Sequence, residues 1–134
     1  MAIREIQGLS EFKRDTDKIE KDLPKRTQEA SLEIAREWLN AAQGYASTPQ
    51  QQLAAQSLTM SDAGDHVTID SDSPIFYGAE FGGQSRPETM HFPPYLGREG
   101  YFFYPARREN DENFNDLWEK AIDDAMKPWD HKEF

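Results

Sequence analysis

The residue types that could carry acid–base chemistry are sparse in this chain. Glu80 and Glu88 are the two carboxylates that can be considered as a pair for proton transfer, an arrangement that general acid–base catalysis uses. Beside them the sequence offers no nucleophile–base arrangement and no glycine loop of a phosphate-binding pattern. We therefore expect no catalytic residue and no cofactor. An enzyme stays open as an alternative, which a deep polar pocket around Glu80 and His91 would favour.

Metal-ligating residue types are present without the spacing of a metal site. The three histidines lie in a predicted strand, a loop and the C-terminal tail: His66, His91 and His131. None of them has an i,i+4 histidine partner, the spacing that places two ligands on one helix face. Four aspartates lie close together: Asp62, Asp65, Asp70 and Asp72. Their spacing does not fit the twelve-residue calcium loop and no glutamate closes it, so we expect a solvated turn and no bound metal.

Composition limits the remaining classes of protein. The 134 residues suit a single domain, and 25 acidic against 15 basic residues give a net charge of −10. Such a chain repels phosphate backbones, so sequence-specific nucleic-acid binding is not expected. Cysteine is absent, which excludes disulfides and thiolate zinc sites. No signal peptide and no membrane span is predicted, so we expect a protein made and used in solution.

The N-terminal third is predicted to be helical, from residue 8 to residue 44. Apolar residues recur at spacings of three and four, which places them on one stripe: Phe12, Ile19, Leu23, Ala30, Ile34, Trp38 and Ala41. Ser10 is a suitable N-cap and Gly44 a suitable end. Pro24 lies inside this pattern, so we expect either two helices or one kinked helix.

The middle of the chain, residues 58–104, is predicted to hold strands and one long loop. Ser47-Thr48-Pro49 is a helix start signal, and residues 50–58 are either a short helix or a linker. Leu58–Met60 and His66–Asp70 alternate like strands around a turn, which predicts a hairpin. Tyr101–Tyr104 is predicted to be a further short strand whose rings lie mostly in the core.

The C-terminal helix is predicted to run from Pro105 to Lys127 and to end at Pro128, with residues 128–134 as a loose tail. Its apolar stripe consists of Phe114, Leu117, Trp118, Ala121, Ile122, Ala125 and Met126. Together these elements predict an α+β fold. A long kinked N-terminal helix and a C-terminal helix pack on a small, mostly antiparallel sheet.

Two short motifs carry a resemblance to a known family. They are Tyr77-Gly78-Ala79-Glu80-Phe81-Gly82 and, after a loop, Tyr101-Phe102-Phe103-Tyr104-Pro105-Ala106-Arg107-Arg108-Glu109 before an amphipathic helix. This order resembles the gene-product-ten-like family of siphophage neck proteins, which act as head–tail connector, tail-completion or minor tail proteins. Phe92-Pro93-Pro94 and Gly100-Tyr101-Phe102 are similar to versions from phages of actinobacteria. The resemblance covers about the last sixty residues well and the first seventy in layout only.

The resemblance implies a structural subunit of the virion, made in the host cytoplasm and located in the neck or tail. There it would form an oligomeric ring between the portal side and the tail tube. Its partners would be other phage structural proteins, such as connector, tail-tube or tail-terminator subunits. We expect the loop from residue 84 to residue 100 to reach an adjacent subunit and to become ordered on assembly. The predicted assembly interface consists of Tyr77, Glu80, Phe81, Gly82, Met90, Phe92, Tyr95 and Arg107.

Several alternatives stay open at this point. Tail termination or head closure would ask for the same kind of small ring-forming domain. A small acidic regulatory module inside the host cell is a second alternative, although acids and bases interleave between Lys13 and Glu37. Arg107 and Arg108 could form local salt bridges with the acids that follow them instead of reaching a neighbouring copy.

Overall fold

The computed structural model describes residues 9–83 and 92–130, and it has the predicted α+β fold. Within these described residues, four helices, one two-stranded sheet and one 3₁₀ turn follow each other. They are α1 (Leu9–Tyr45), α2 (Pro49–Gln56), β1 (Leu58–Asp62), β2 (Val67–Ser71), α3 (Phe76–Phe81), the 3₁₀ turn (Gly97–Glu99) and α4 (Phe103–Asp130). Among these residues no helix combines the length and the apolar character that crossing a bilayer requires.

Helix α1 is a single element that continues through Pro24. The two-helix alternative is therefore wrong. Proline removes one backbone donor from a helix, but a long helix tolerates that loss where the ring faces water and neighbouring turns stay packed. Pro24 is exposed, and on either side of it Ile19 and Ala30 are buried.

Helices α1 and α4 lie against each other in antiparallel orientation. The Phe12 ring, near the start of α1, stacks on Trp129 at the end of α4, with ring centroids 5.7 Å apart. At the opposite end, Trp38 stacks on Phe103 with centroids 4.3 Å apart. Small buried residues between these pairs, such as Ala35, allow the two helices to approach closely.

The end of α4 differs from the prediction. The helix continues past Pro128 to Asp130, so Pro128 does not end it and Trp129 is not part of a loose tail. The stacking of Trp129 on Phe12 holds this last turn against α1. Trp118 is also wrongly assigned to the packed stripe, because 40% of its surface is exposed.

Helix α2 begins where the start signal predicts. The Thr48 side chain accepts a hydrogen bond from the Gln51 backbone N–H at 3.1 Å, and the Gln51 side chain accepts one from the Thr48 N–H at 3.2 Å. This reciprocal pair is a capping box, with Pro49 at the first helical position. Residues 50–56 are therefore helix, and the linker alternative is wrong for them.

The hairpin is confirmed: β1 is two residues longer than predicted, and β2 has the predicted length but lies one residue later. Strands β1 and β2 pair antiparallel, with Leu58 opposite Ser71 and Asp62 opposite Val67. Gln28 of α1 holds the turn, because its side-chain amide donates to Asp62 Oδ1 at 2.6 Å and to the His66 carbonyl at 2.9 Å. A two-stranded sheet is marginal alone, and this packing on α1 supports it.

Tyr101–Tyr104 is not a strand. Phe103 begins α4, and Pro105 is the third residue of that helix instead of its first. Proline is tolerated there because the N–H groups of a first turn have no partner within the helix. The prediction of mostly buried rings is confirmed for Phe102 and Phe103, which lie in the core.

Candidate functional site

Glu80 of the first motif lies at the start of α4, which is the start of the second motif. Its Oε1 accepts hydrogen bonds from the backbone N–H groups of Tyr101 at 2.5 Å and Phe102 at 3.0 Å. Its Oε2 accepts from the N–H groups of Phe103 at 2.6 Å and Tyr104 at 3.3 Å. The carboxylate therefore caps the helix with its negative charge at the positive end of the dipole.

The environment of Glu80 shifts its titration in two opposing ways. The residue has no exposed surface, and burial raises the pKa of Glu80 above its ordinary value of 4.5. The four backbone N–H groups lower this pKa part of the way back, because they stabilise the charged form. The carboxylate is satisfied by the main chain, which makes it a structural cap.

Three glycines let the two motifs and the intervening segment approach closely. A Cβ atom on Gly78 would overlap the ring of Phe92, and one on Gly82 would overlap the carbonyl of Pro94. Gly100 has φ +73°, and a Cβ atom there would overlap the Glu80 carboxylate. These three glycines therefore allow neighbouring segments of the chain to pack closely against their backbone.

The segment Phe92–Leu96 is fastened to the end of α3, and we call it the strap. The Gly83 N–H donates to the Pro93 carbonyl at 3.0 Å, and the Leu96 N–H donates to the Phe81 carbonyl at 2.8 Å. The Tyr101 hydroxyl donates to the Pro94 carbonyl at 2.6 Å. The prediction that residues 84–100 become ordered only on assembly is wrong for residues 92–100, which already pack on the fold.

Two tyrosines project from this fastened framework. Tyr77 of α3 exposes 75% of its surface and Tyr95 of the strap exposes 77%. Tyr77 stacks on Phe81 with ring centroids 6.1 Å apart, and Phe81 lies 5.8 Å from the ring of Tyr104. A row of three aromatic rings thus borders the solvent beside the hairpin.

A groove of about 280 Å³ runs between β2, α3 and the start of α4, and we call it the aromatic groove. Its wall includes Ile69, Asp70, Tyr77, Phe81, Phe103 and Tyr104. Aromatic and aliphatic side chains share the lining with polar groups, and Asp70 is the acidic residue among them. Such a surface suits contact with another protein better than it suits a reaction.

Arg107 extends this row instead of pointing away from it. Its guanidinium carbon lies 5.4 Å from the centre of the Trp38 ring, and the Tyr104 ring lies 6.4 Å from Trp38. Arg107 also lies 3.7 Å from Asp111, one helical turn later, where both side chains are more than half exposed. The local salt bridge therefore forms, while the guanidinium remains within reach of a partner.

The predicted interface residues occupy different positions. The structure exposes Tyr77, Tyr95 and Arg107, half-buries Phe81, Gly82 and Phe92, and buries Glu80 completely. Glu80 is therefore not available as an interface residue, because the start of α4 covers it. Met90 lies outside the described residues, as do Glu88 and His91, the two residues considered beside Glu80 for proton transfer.

Sequence reasoning missed Tyr104 and Asp70 as members of the exposed surface. Tyr104 is expected in a strand and Asp70 in a strand or a solvated turn, and neither is among the predicted interface residues. Asp70 lies on β2 opposite Thr59, and its backbone carbonyl accepts from the Thr59 hydroxyl at 3.4 Å. The alternation of the hairpin could have predicted that Asp70 faces away from its apolar neighbour Ile69.

Asp62, Asp65 and His66 lie at the turn between β1 and β2. The Asp62 carboxylate accepts from the Gly64 N–H at 2.8 Å, and Asp65 contacts the His66 ring at 2.6 Å. This contact lowers the pKa of Asp65. Among residues 9–83 and 92–130 no group of three acidic, histidine or cysteine side chains could hold a metal ion.

No family model, no curated protein and no solved structure matches this chain.

Proposed function

We propose that this protein is a structural subunit of a tailed-phage neck or tail-completion complex, where it joins head and tail through contacts between proteins. The proposal starts from the resemblance of the two motifs around Glu80 and Tyr104. The observation that carries it is the contrast between a buried and an exposed residue of α3. Glu80 is fully buried as the cap of α4, whereas Tyr77, three residues earlier, is 75% exposed.

This contrast supports an assembly role, because ordering the side chains of an interface costs free energy. A protein interface gains most from large rings that bury much area, and it loses less when those rings are already held in place. Helix α3 is anchored to α4 by four hydrogen bonds to Glu80 and to the strap by two more. Tyr77 and Tyr95 therefore project from a framework that needs little further ordering.

The geometry of Glu80 also bears on the enzyme alternative. A general acid or base must reach the proton that it transfers. Both oxygens of Glu80 instead face main-chain donors, and the side chain has no exposed surface. This arrangement favours a scaffold role for the residue that the sequence made the leading candidate for proton transfer.

In the proposed complex the subunits form a ring of identical copies that contacts a neighbouring ring. Helix α3 and the strap supply the contact surface, and the α1–α4 pair packs on the side away from the partner. Tail termination and head closure remain possible positions for such a ring. The three positions differ in the defect that loss of the subunit produces.

The test uses the phage that encodes the chain, with its gene deleted and supplied from a plasmid. Without the gene we expect unjoined heads and tails by electron microscopy, and with the wild-type gene joined particles that contain the protein by mass spectrometry. The double variant Tyr77→Ala, Tyr95→Ala should reduce joined particles strongly. The matched control Tyr45→Ala, Leu53→Ala removes two exposed apolar side chains elsewhere and should not.

Normal yields of infectious particles from the deleted phage would overturn the proposal, as would purified virions that lack the protein. Tails of uncontrolled length would favour tail termination over the joining role. Heads that lose their DNA would favour head closure.

A further inference from the structure

We propose that the aromatic groove binds an extended, basic segment of another protein. The proposed function requires a contact surface but does not say what chemistry its partner has. Three features of the groove define that chemistry: the arrangement of its rings, its charge and the strand along its border.

Two rings of the row are accessible to a cation, because Tyr77 is 75% and Tyr104 37% exposed. Tyr77 and Phe81 are nearly parallel, with an angle of 19° between their planes, and Tyr104 continues the row from Phe81. Aromatic faces attract arginine and lysine side chains. The chain already contains one such contact, because the Arg107 guanidinium lies over Trp38, next to Tyr104 in the same row.

The charge of the groove is complementary to a basic partner. Asp70 is the charged residue of the wall, and no lysine or arginine is among the described residues that line the groove. The carboxylate is exposed, and within the described parts of the chain it has no ion-pair partner. The whole chain carries a net charge of −10, which attracts a cationic segment from a distance.

The strand along the border favours an extended partner. Three consecutive residues of β2 line the groove, Ile69, Asp70 and Ser71. Side chains of a strand alternate between its two faces, so a run of consecutive residues indicates that the edge of the strand borders the groove. In the described sheet β2 pairs with β1 alone, and an unpaired strand edge offers backbone donors and acceptors to an added strand.

The inference rests on the proposed function only for the source of the segment, a neighbouring protein of the particle. Binding itself is measured on the isolated protein. A failed binding test therefore leaves the particle experiments unaffected, and a failed particle experiment leaves the binding measurement valid.

The experiment titrates ¹⁵N-labelled protein with an eight-residue peptide of alternating arginine and valine, capped at both ends. We expect saturable chemical-shift changes at the amides of Ile69, Asp70, Tyr77 and Phe81. A peptide with uncharged citrulline in place of arginine should bind about tenfold more weakly, because it loses both the cation–π and the ionic contact. The spectrum without peptide verifies that each variant is folded.

Two matched variants separate the groove from general attraction to an acidic protein. Tyr77→Ala should weaken binding about three- to fivefold. Tyr45→Ala removes an exposed tyrosine at the end of α1, outside the groove wall, and should leave the affinity unchanged. Asp70→Asn should reduce the affinity for the arginine peptide and leave the citrulline peptide unaffected.

Equal affinities of the Tyr77→Ala and Tyr45→Ala variants would overturn the inference, as would shifts spread over acidic residues outside the groove. Shifts of the groove amides with protein concentration alone, lost in Tyr77→Ala, would show that a second copy of this chain occupies the groove. That result would also overturn the assignment to another protein.

Discussion

Gly100 and Glu80 lie so close that a Cβ atom at position 100 would overlap the Oε1 atom of the Glu80 carboxylate. Gly100 directly precedes the four residues whose backbone N–H groups donate hydrogen bonds to the carboxylate. The glycine therefore makes room for the cap, and the cap explains why α4 begins where it does. Two residues twenty positions apart thus determine one helix start.

Replacing Gly100 by Ala should destabilise the fold by about 2 kcal/mol or more, because it combines a positive φ with the overlap at Glu80. Gly64→Ala is the matched control, since Gly64 has φ +91° but has open space around its Cβ position. Chemical denaturation gives both free energies of unfolding. Equal losses in the two variants would show that the Glu80 contact contributes nothing.

Replacing Glu80 by Gln should lower the free energy of unfolding by about 2–4 kcal/mol. The amide keeps one oxygen but turns an NH₂ group toward two of the four backbone donors, which leaves those donors buried without an acceptor. Urea denaturation at neutral pH measures the loss. A variant as stable as the wild type would show that the cap is not needed.

The stability difference between the wild type and Glu80→Gln should decrease as pH rises. Because burial raises the pKa of Glu80 in the folded protein above 4.5, the folded state binds this proton more tightly than the unfolded state. The associated stability is complete below pH 4.5 and is lost as pH rises through the folded pKa. Denaturation of both proteins is measured from pH 4 to pH 7. The difference between their free energies of unfolding no longer contains the contribution of the other carboxylates, because both proteins share it. A difference that grows with pH would mean that the four N–H groups outweigh burial.

Helices α1 and α2 and the hairpin could be predicted from the sequence because their signals are local, whereas α3 lies where strands and a loop were expected. The apolar stripe of α1, the capping box at Thr48 and the turn residues between β1 and β2 each act within a few residues. Local patterns of this kind determine element type well.

The start of α4 could not be predicted, because its cause is distant in sequence. Aromatic residues favour strands, and Tyr101–Tyr104 has that composition. The acceptors supplied by Glu80, more than twenty positions earlier, satisfy the N–H groups that a strand would have paired with a neighbour. Trp129 was missed for the same reason, since its partner Phe12 lies at the opposite end of the chain.

The two tryptophans Trp38 and Trp118 should respond differently to truncation. Trp38 donates from Nε1 to the Phe103 carbonyl at 2.6 Å and stacks on the Phe103 ring, so Trp38→Ala removes a hydrogen bond and a packed ring at the start of α4. We expect a loss of about 2–4 kcal/mol. Trp118 is 40% exposed, so Trp118→Ala should cost about 1 kcal/mol. Thermal unfolding followed by circular dichroism compares the two, and an equal or larger loss for Trp118→Ala would contradict the packing of α1 on the start of α4.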